Sequence, residues 1–391
     1  MEPQRLTVDG LLNAAKEATG LADFGGDGFV EPLERLVESL NEEARLNAAG
    51  VFTLSAMYVQ LLVNRLRFHD DLKTHPEILD EPIAPPITVI GMPRSGTTKL
   101  HRVLASDPAL RPILSWQLMN PAPFPGTEGA DPDPRVAFTE AMFSEMAKHH
   151  PDVFAGHPMS ATDPDEETSY LMEMTFDGPL VPVRAYTPSF TEWRWTRSMT
   201  PSYEYLRQLF QYIQWQDARD RDRVKPFILK SPLHPGHIAE FAGVFKGATI
   251  VHCHRDPADC VPSFARLLEV GWSMMSDDVD LGRCGLESIR LLKSHMDRYL
   301  PQRAEIEHRV SFVDAPFRDI VSKPQSLLAE VYRLHGLEIP ADAEQRISDW
   351  EAHNAADRFG KHEYSLERYK LTEKQIRTEF ADYYERFSAF L

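Results

Sequence analysis

Apolar residues return every three or four positions through Leu33, Leu36, Val37 and Leu40, and again through Leu54, Met57, Leu61, Leu62 and Leu66. That period belongs to helices with one buried face and predicts helix over 28–75. Residues 1–82 are thus expected to form a helical N-terminal extension. The segment EPIAPP at 81–86 ends it, because proline lacks a backbone donor and biases its predecessor away from helix. Four short apolar runs follow, at 87–91, 226–229, 249–252 and 310–313. Runs this short without polar alternation suit strands buried on both faces. Helical patterns lie between or after them at 98–105, 237–245, 281–300 and 323–334. Strands alternating with helices predict an α/β fold, a parallel sheet flanked by helices, over 83–391. The interval 111–223 shows no clear strand and is rich in proline, aromatics and acids, as in a large helical insertion that forms a lid or pocket.

Composition narrows the choice of partners. The chain has 391 residues, 42% hydrophobic and 26% charged, enough for one large domain or two. Its formal charge of −17 speaks against nucleic acid and anionic membranes, both of which need a basic face. A small anion remains admissible, since a cleft can focus positive potential locally. Cys253, Cys260 and Cys284 make no even set and no CxxC pair, so neither a disulfide framework nor a structural metal is expected. With no long apolar stretch and no basic-then-apolar start, the chain is expected to be cytoplasmic rather than membrane-spanning, and a homodimer stays open.

The chemistry begins in ITVIGMPRSGTTKLHRVL, a buried strand, a turn with Gly91, Pro93 and Gly96, and a helix opening at Thr97 or Thr98. Glycines let the backbone approach an anion, and the amides of the turn and helix start point at it. The Gly91 to Gly96 spacing matches a P-loop, but Thr97 stands where nucleoside triphosphatases carry lysine. PRSGTT resembles the 5′-phosphosulfate loop of sulfotransferases that use 3′-phosphoadenosine 5′-phosphosulfate (PAPS), in particular a bacterial branch with a helical N-terminal extension. The resemblance implies a P-loop-type sheet in which Arg94, Ser95, Gly96, Thr97 and Thr98 hold the donor's 5′-phosphate and bridging oxygen. Lys99 replaces the tryptophan that cytosolic relatives place near adenine, so another aromatic must serve the base.

Two further segments bear on the donor. In TIVHCHRDPADCVPSFARL, Arg255 follows a strand and Ser263 lies eight residues on, two turns into the next helix. An arginine fork and a hydroxyl so placed can meet on one phosphate, and the family uses this spacing for the donor's 3′-phosphate. The alternative is a surface arginine paired with Asp256 or Asp259. Near the C-terminus, DRFGKHEYSLERYKL resembles the basic loop that the family folds over the nucleotide, which would place Gly360, Lys361 and His362 there.

Sulfuryl transfer needs cations at the bridging oxygen and a base beside the incoming hydroxyl, and by that logic no metal. Lys230, ending the strand of PFILKSPLHPGHI, resembles the lysine that contacts the transferring group. Pro232 falls where the cytosolic enzymes have their catalytic histidine, which leaves His234, His157, Glu166 and Glu167 as candidate bases. In TDPDEETSYLMEM, Asp163, Pro164 and Glu166 make a helix-start pattern, so Glu166 reads equally well as a capping residue. Glu167, without a capping duty, is the preferred carboxylate. Tyr186, Phe190, Trp193, Trp195, Trp272, Met274 and Met275 could line an acceptor pocket for a lipid-like, steroidal or phenolic alcohol, or simply pack the core. Competing readings are a P-loop nucleotide kinase or NTPase, disfavoured by Thr97, and a catalytically inactive nucleotide-binding protein.

Overall fold

The computed structural model describes residues 5–149, 159–164, 167–217, 224–353 and 365–391. The four predicted strands are present as β1 (Ile87–Gly91), β3 (Phe227–Lys230), β4 (Thr249–His254) and β5 (Ser311–Pro316). A fifth, β2 (Arg111–Pro112), lies inside the interval expected to be strand-free. All pairings are parallel, in the order β2-β3-β1-β4-β5. Successive side chains alternate between the two faces. Ile87 and Val89 of β1 join Val251, Leu104 and Val331 on one side, whereas Ile90 joins Leu229, Ile250 and Phe210 on the other. Burial on both faces is why these strands read as continuous apolar runs.

The N-terminal helices are α1 (Val8–Thr19), α2 (Val30–Glu42) and α3 (Ala48–Thr74). The predicted single stretch is thus two helices, parted where Arg45 turns to φ 50° and Asn47 caps α3 by accepting from the Gly50 amide at 2.8 Å. Sequence periodicity missed α1, although Thr7 caps its start and left-handed Gly20 ends it. These helices share a core with Phe176, Val181, Phe190 and Met275 from farther along the chain. Arg65 of α3 donates to the Phe24 carbonyl at 2.7 Å and the Met174 carbonyl at 3.1 Å, fastening the extension to the insertion. Within the insertion the longest described helices are Pro134–His149 and Thr200–Gln216.

Candidate active site

β1 is the centre of the sheet, with β3 on one side and β4 on the other. Connections diverge there, and parallel sheets bind ligands in the crevice beyond the strand ends at such a point. Three segments with candidate chemistry leave the sheet at this edge: residues 92–96 after β1, Lys230 ending β3, and Arg255 just past β4. Helix α4 (Thr97–Ala105) follows the loop, so its first-turn amides belong to the same place.

The loop is shaped by three left-handed or near-forbidden residues. At Gly91 (φ 144°) a Cβ would lie 2.4 Å from the Cys253 carbonyl oxygen and 2.7 Å from Ser95 Oγ, so only glycine fits. Gly96 (φ 92°) forms the N-cap of α4, and a Cβ there would meet Ile320 and Phe317 at 3.1 and 3.2 Å. Between them Arg94 adopts φ 73° without being glycine, a backbone strain of about 1–3 kcal/mol that neighbouring bonds must sustain. Its side chain is exposed, while Ser95 and Thr97 are buried and Thr98 is half-buried. Among the described residues Ser95 Oγ is buried without a hydrogen-bond partner, which is uncommon for a buried hydroxyl.

Lys230 turns its ammonium toward this loop. Nζ donates to Thr98 Oγ1 at 3.4 Å and lies 3.1 Å from Glu167 Oε1. The strand end holds Glu167 in place reciprocally: the Thr168 amide donates to the Lys230 carbonyl at 2.9 Å, and the Lys230 amide donates to Thr168 Oγ1 at 3.2 Å. Ser169 and Ser231 add a hydroxyl pair at 3.0 Å. Sequence reasoning missed Thr168, Ser169 and Ser231; the one available signal was a serine directly after the strand-end lysine. The expected helix start at Asp163 does not form, and the described helix begins at Ser169. Instead Pro164 bridges Leu114, while the carbonyls of Asp163 and Ala161 accept from the Ser115 and Trp116 amides. Extended pairing thus occupies the groups that a cap would need. Glu166 and His157 lie outside the described residues, as do Gly360, Lys361 and His362.

Arg255 sits beside the loop, opposite Lys230. Its Nε donates to Asp259 Oδ2 at 3.1 Å, its Nη1 to the Arg94 carbonyl at 2.9 Å, and the guanidinium lies 4.2 Å from the Phe317 ring centroid. Ser263 is buried two turns along the helix Pro257–Met275. Asp256 caps that helix, accepting from the Ala258 amide at 2.8 Å and from the Tyr384 hydroxyl. Phe317, like Thr168 and Ser169, carries no signal in the sequence. His234 is buried, with Nδ1 3.1 Å from the Tyr203 hydroxyl. Burial, with His237 nearby, pushes its pKa down to about 3. The aromatic run is divided between two cores: Phe190 and Met275 pack on the N-terminal helices, and Trp272 in the main core donates to the Pro182 carbonyl at 3.0 Å. Trp195 stacks on His237 and borders a small enclosed cavity with Leu233, Phe264 and His295.

Away from the loop, His252, His254 and Asp314 bring three potential metal ligands within 4.8 Å of one another. His254 and Asp314 already bond within the protein, whereas His252 Nε2 is buried without a hydrogen-bond partner among the described residues. Arg303 donates to both Asp314 oxygens, at 2.6 and 2.7 Å, and His254 Nε2 is 2.7 Å from Oδ1, so a cation would have to displace a guanidinium. The Tyr383 hydroxyl meets His254 and ties the C-terminal segment to β4, and the Tyr299 hydroxyl of the helix Leu281–Ile306 meets His252. Burial works against the charge of Asp314, but Arg303 and His254 outweigh it and hold the carboxyl well below the usual range. Its ionised form therefore stabilises the fold fully above about pH 4, where the unfolded carboxyl has lost its proton, and less as pH falls toward the folded value. Asp314→Asn should cost about 3 kcal/mol at neutral pH, by stripping Arg303 of a largely buried partner. It should also flatten the acid limb of the stability curve, as denaturant titrations at neutral and acid pH would show.

A loop of this build, with threonine replacing the lysine of triphosphate hydrolases, suits a group transferase that grips its donor by phosphate. The profile of the sulfotransferase family matches residues 85–341, and the chain belongs to that family. It is 26% identical over 267 residues to the omega-hydroxy-beta-dihydromenaquinone-9 sulfotransferases Stf3 of Mycobacterium bovis and Mycobacterium tuberculosis, covering 65% of this chain. The match spans 63% of the length of those relatives. Among solved structures, sulfotransferase STF1 from M. tuberculosis superposes with a TM-score of 0.83 at 27% identity, over 96% of this chain and 99% of its own. Sulfotransferase STF9 from Mycobacterium avium does so at 0.85 and 27%, over 97% and 96%. Among the described residues no helix is long and apolar enough to cross a membrane.

Proposed function

We propose that this sulfotransferase moves a sulfuryl group from PAPS to the hydroxyl of a small lipophilic acceptor, giving a sulfate ester and adenosine 3′,5′-bisphosphate (PAP). The observation that carries the reading is the position of Lys230 Nζ, within reach of both Thr98 on the loop and Glu167 beside it. Arg94, Ser95, Gly96, Thr97 and Thr98 would hold the 5′-phosphosulfate, with Arg255 and Ser263 on the 3′-phosphate and Gly360, Lys361 and His362 closing over the nucleotide. The acceptor oxygen attacks sulfur, the bond from sulfur to the phosphate oxygen breaks, and the acceptor proton passes to Glu167. Lys230 neutralises charge on the departing phosphate oxygen. As it turns from Glu167 to the donor, the carboxylate is released to act as base. His234 suits that role less well, since burial makes its ring a weak base.

A lipid-like alcohol is the favoured acceptor, because the Stf3 relatives are named for a hydroxylated menaquinone; steroidal and phenolic alcohols are the other classes of similar chemistry. We place the reaction in the cytoplasm, where three buried free thiols would stay reduced. PAP should stabilise the fold without added Mg²⁺, by about 2.7 kcal/mol at a hundred times its dissociation constant. ADP, which lacks a 3′-phosphate, should do much less in the same thermal melts. Equal shifts would remove the case for a 3′-phosphate site, and a larger shift with ATP and Mg²⁺ would return the kinase reading.

A further inference from the structure

We propose that Arg255 is also a positioning residue: through its bond to the Arg94 carbonyl it holds the 5′ loop in its anion-receiving form, beyond any contact of its own with the 3′-phosphate. The proposal rests on the donor assignment above only for the identity of the two phosphates. Arg94 occupies left-handed backbone space that costs a non-glycine residue free energy, so the loop needs outside support to keep this shape. Within the loop, the Ser95 amide closes a turn on the Met92 carbonyl at 3.1 Å. The Arg94 carbonyl accepts at 2.9 Å from Nη1 of Arg255, which sits beside the loop.

Arg255 is itself well fixed for this duty. Asp259 holds Nε, and the Phe317 ring lies under the guanidinium plane. Phe317 and Ile320 also fill the space against Gly96, so one side chain backs both the loop and the arginine that braces it. A guanidinium has five N–H donors in a rigid plane. With Nε and Nη1 directed at Asp259 and Arg94, its remaining donors can meet a phosphate while the brace persists. The two ends of the donor are therefore recognised in a coupled way, because the group that reads the 3′-phosphate also fixes the backbone that receives the 5′ end.

The test separates the two duties by ligand. Adenosine 5′-phosphate lacks the 3′-phosphate, so a residue that only reads that group is indifferent to it. Titration calorimetry of wild type and Arg255→Ala with PAP and with adenosine 5′-phosphate should show a loss of roughly 10- to 100-fold for PAP, the worth of a charged hydrogen bond, and a loss of about 5- to 10-fold for the monophosphate. The monophosphate loss should persist in about 1 M salt, where a screening length near 3 Å removes any long-range effect of the missing charge. Arg255→Met keeps the apolar stem over Phe317 and removes the donors, so it should show the same two affinity losses even if Arg255→Ala folds poorly. Unchanged affinity for adenosine 5′-phosphate in either variant, or a loss that vanishes in high salt, overturns the brace. Failure of the donor reading looks different: wild type would bind PAP no better than the monophosphate, whereas the brace is judged on the monophosphate alone.

Discussion

Replacing Lys230 by alanine should lower kcat by roughly 10²- to 10³-fold, the usual consequence of removing one preorganised donor from a site of developing negative charge. The side chain is 4% exposed, so its ammonium acts on Thr98 and Glu167 in a setting where water screens little. Lys230→Met should lose as much activity while filling the vacated volume better, which separates the chemical effect from a packing defect. Single-turnover rates with labelled PAPS and an accepted alcohol would read the change. A kcat within about threefold of wild type would reduce Lys230 to a structural tie between β3 and the segment that follows Pro164.

Glu167→Gln should lower kcat by roughly 10²-fold or more, the ordinary share of general-base catalysis, while PAP affinity hardly moves. Glutamine keeps the shape and can still accept from Lys230, so position is preserved and basicity is lost. The two hydrogen bonds between Thr168 and Lys230 do not depend on the carboxylate, and the local fold should survive the change. If instead His234→Asn or His157→Asn abolishes turnover and Glu167→Gln remains nearly active, the base is a histidine and the glutamate assignment is wrong. Sulfotransferase activity as such would stand in either case.

Much of this architecture was legible because burial on both faces of the sheet leaves an unmistakable apolar run. β1 and β3 were readable for that reason, and so was the start of β4. The end of β4 was harder: the predicted run stops at His252, whereas the strand continues to His254, a polar residue buried against Tyr383 from far along the chain. β2 carries no strand signal at all: Arg111 and Pro112 pair with β3 at the sheet edge, and the arginine spends its charge on Asp217. The phosphate loop could be read in one line because its chemistry is local. The meeting of Glu167 with Lys230 could not, for it depends on a strand end capturing a remote segment through Thr168 and Ser169. The helix cap expected at Asp163 failed for a related reason, since extended pairing with Leu114 and Ser115 outcompetes a local hydroxyl or carboxylate pattern.

The sharing of one core by α1–α3 and the segment around Phe176–Phe190 limits how such a protein can be recombined. A Cβ on Gly50 of α3 would stand 2.1 Å from the Met275 carbonyl oxygen, so helix and main domain meet with no slack between them. Grafting the insertion of a relative onto this sheet without its matching N-terminal helices would leave two half-cores of mismatched shape, at a cost of about 1–3 kcal/mol for each overpacked position. The two regions therefore form a single exchangeable unit, even though the sheet's first strand separates them in the chain.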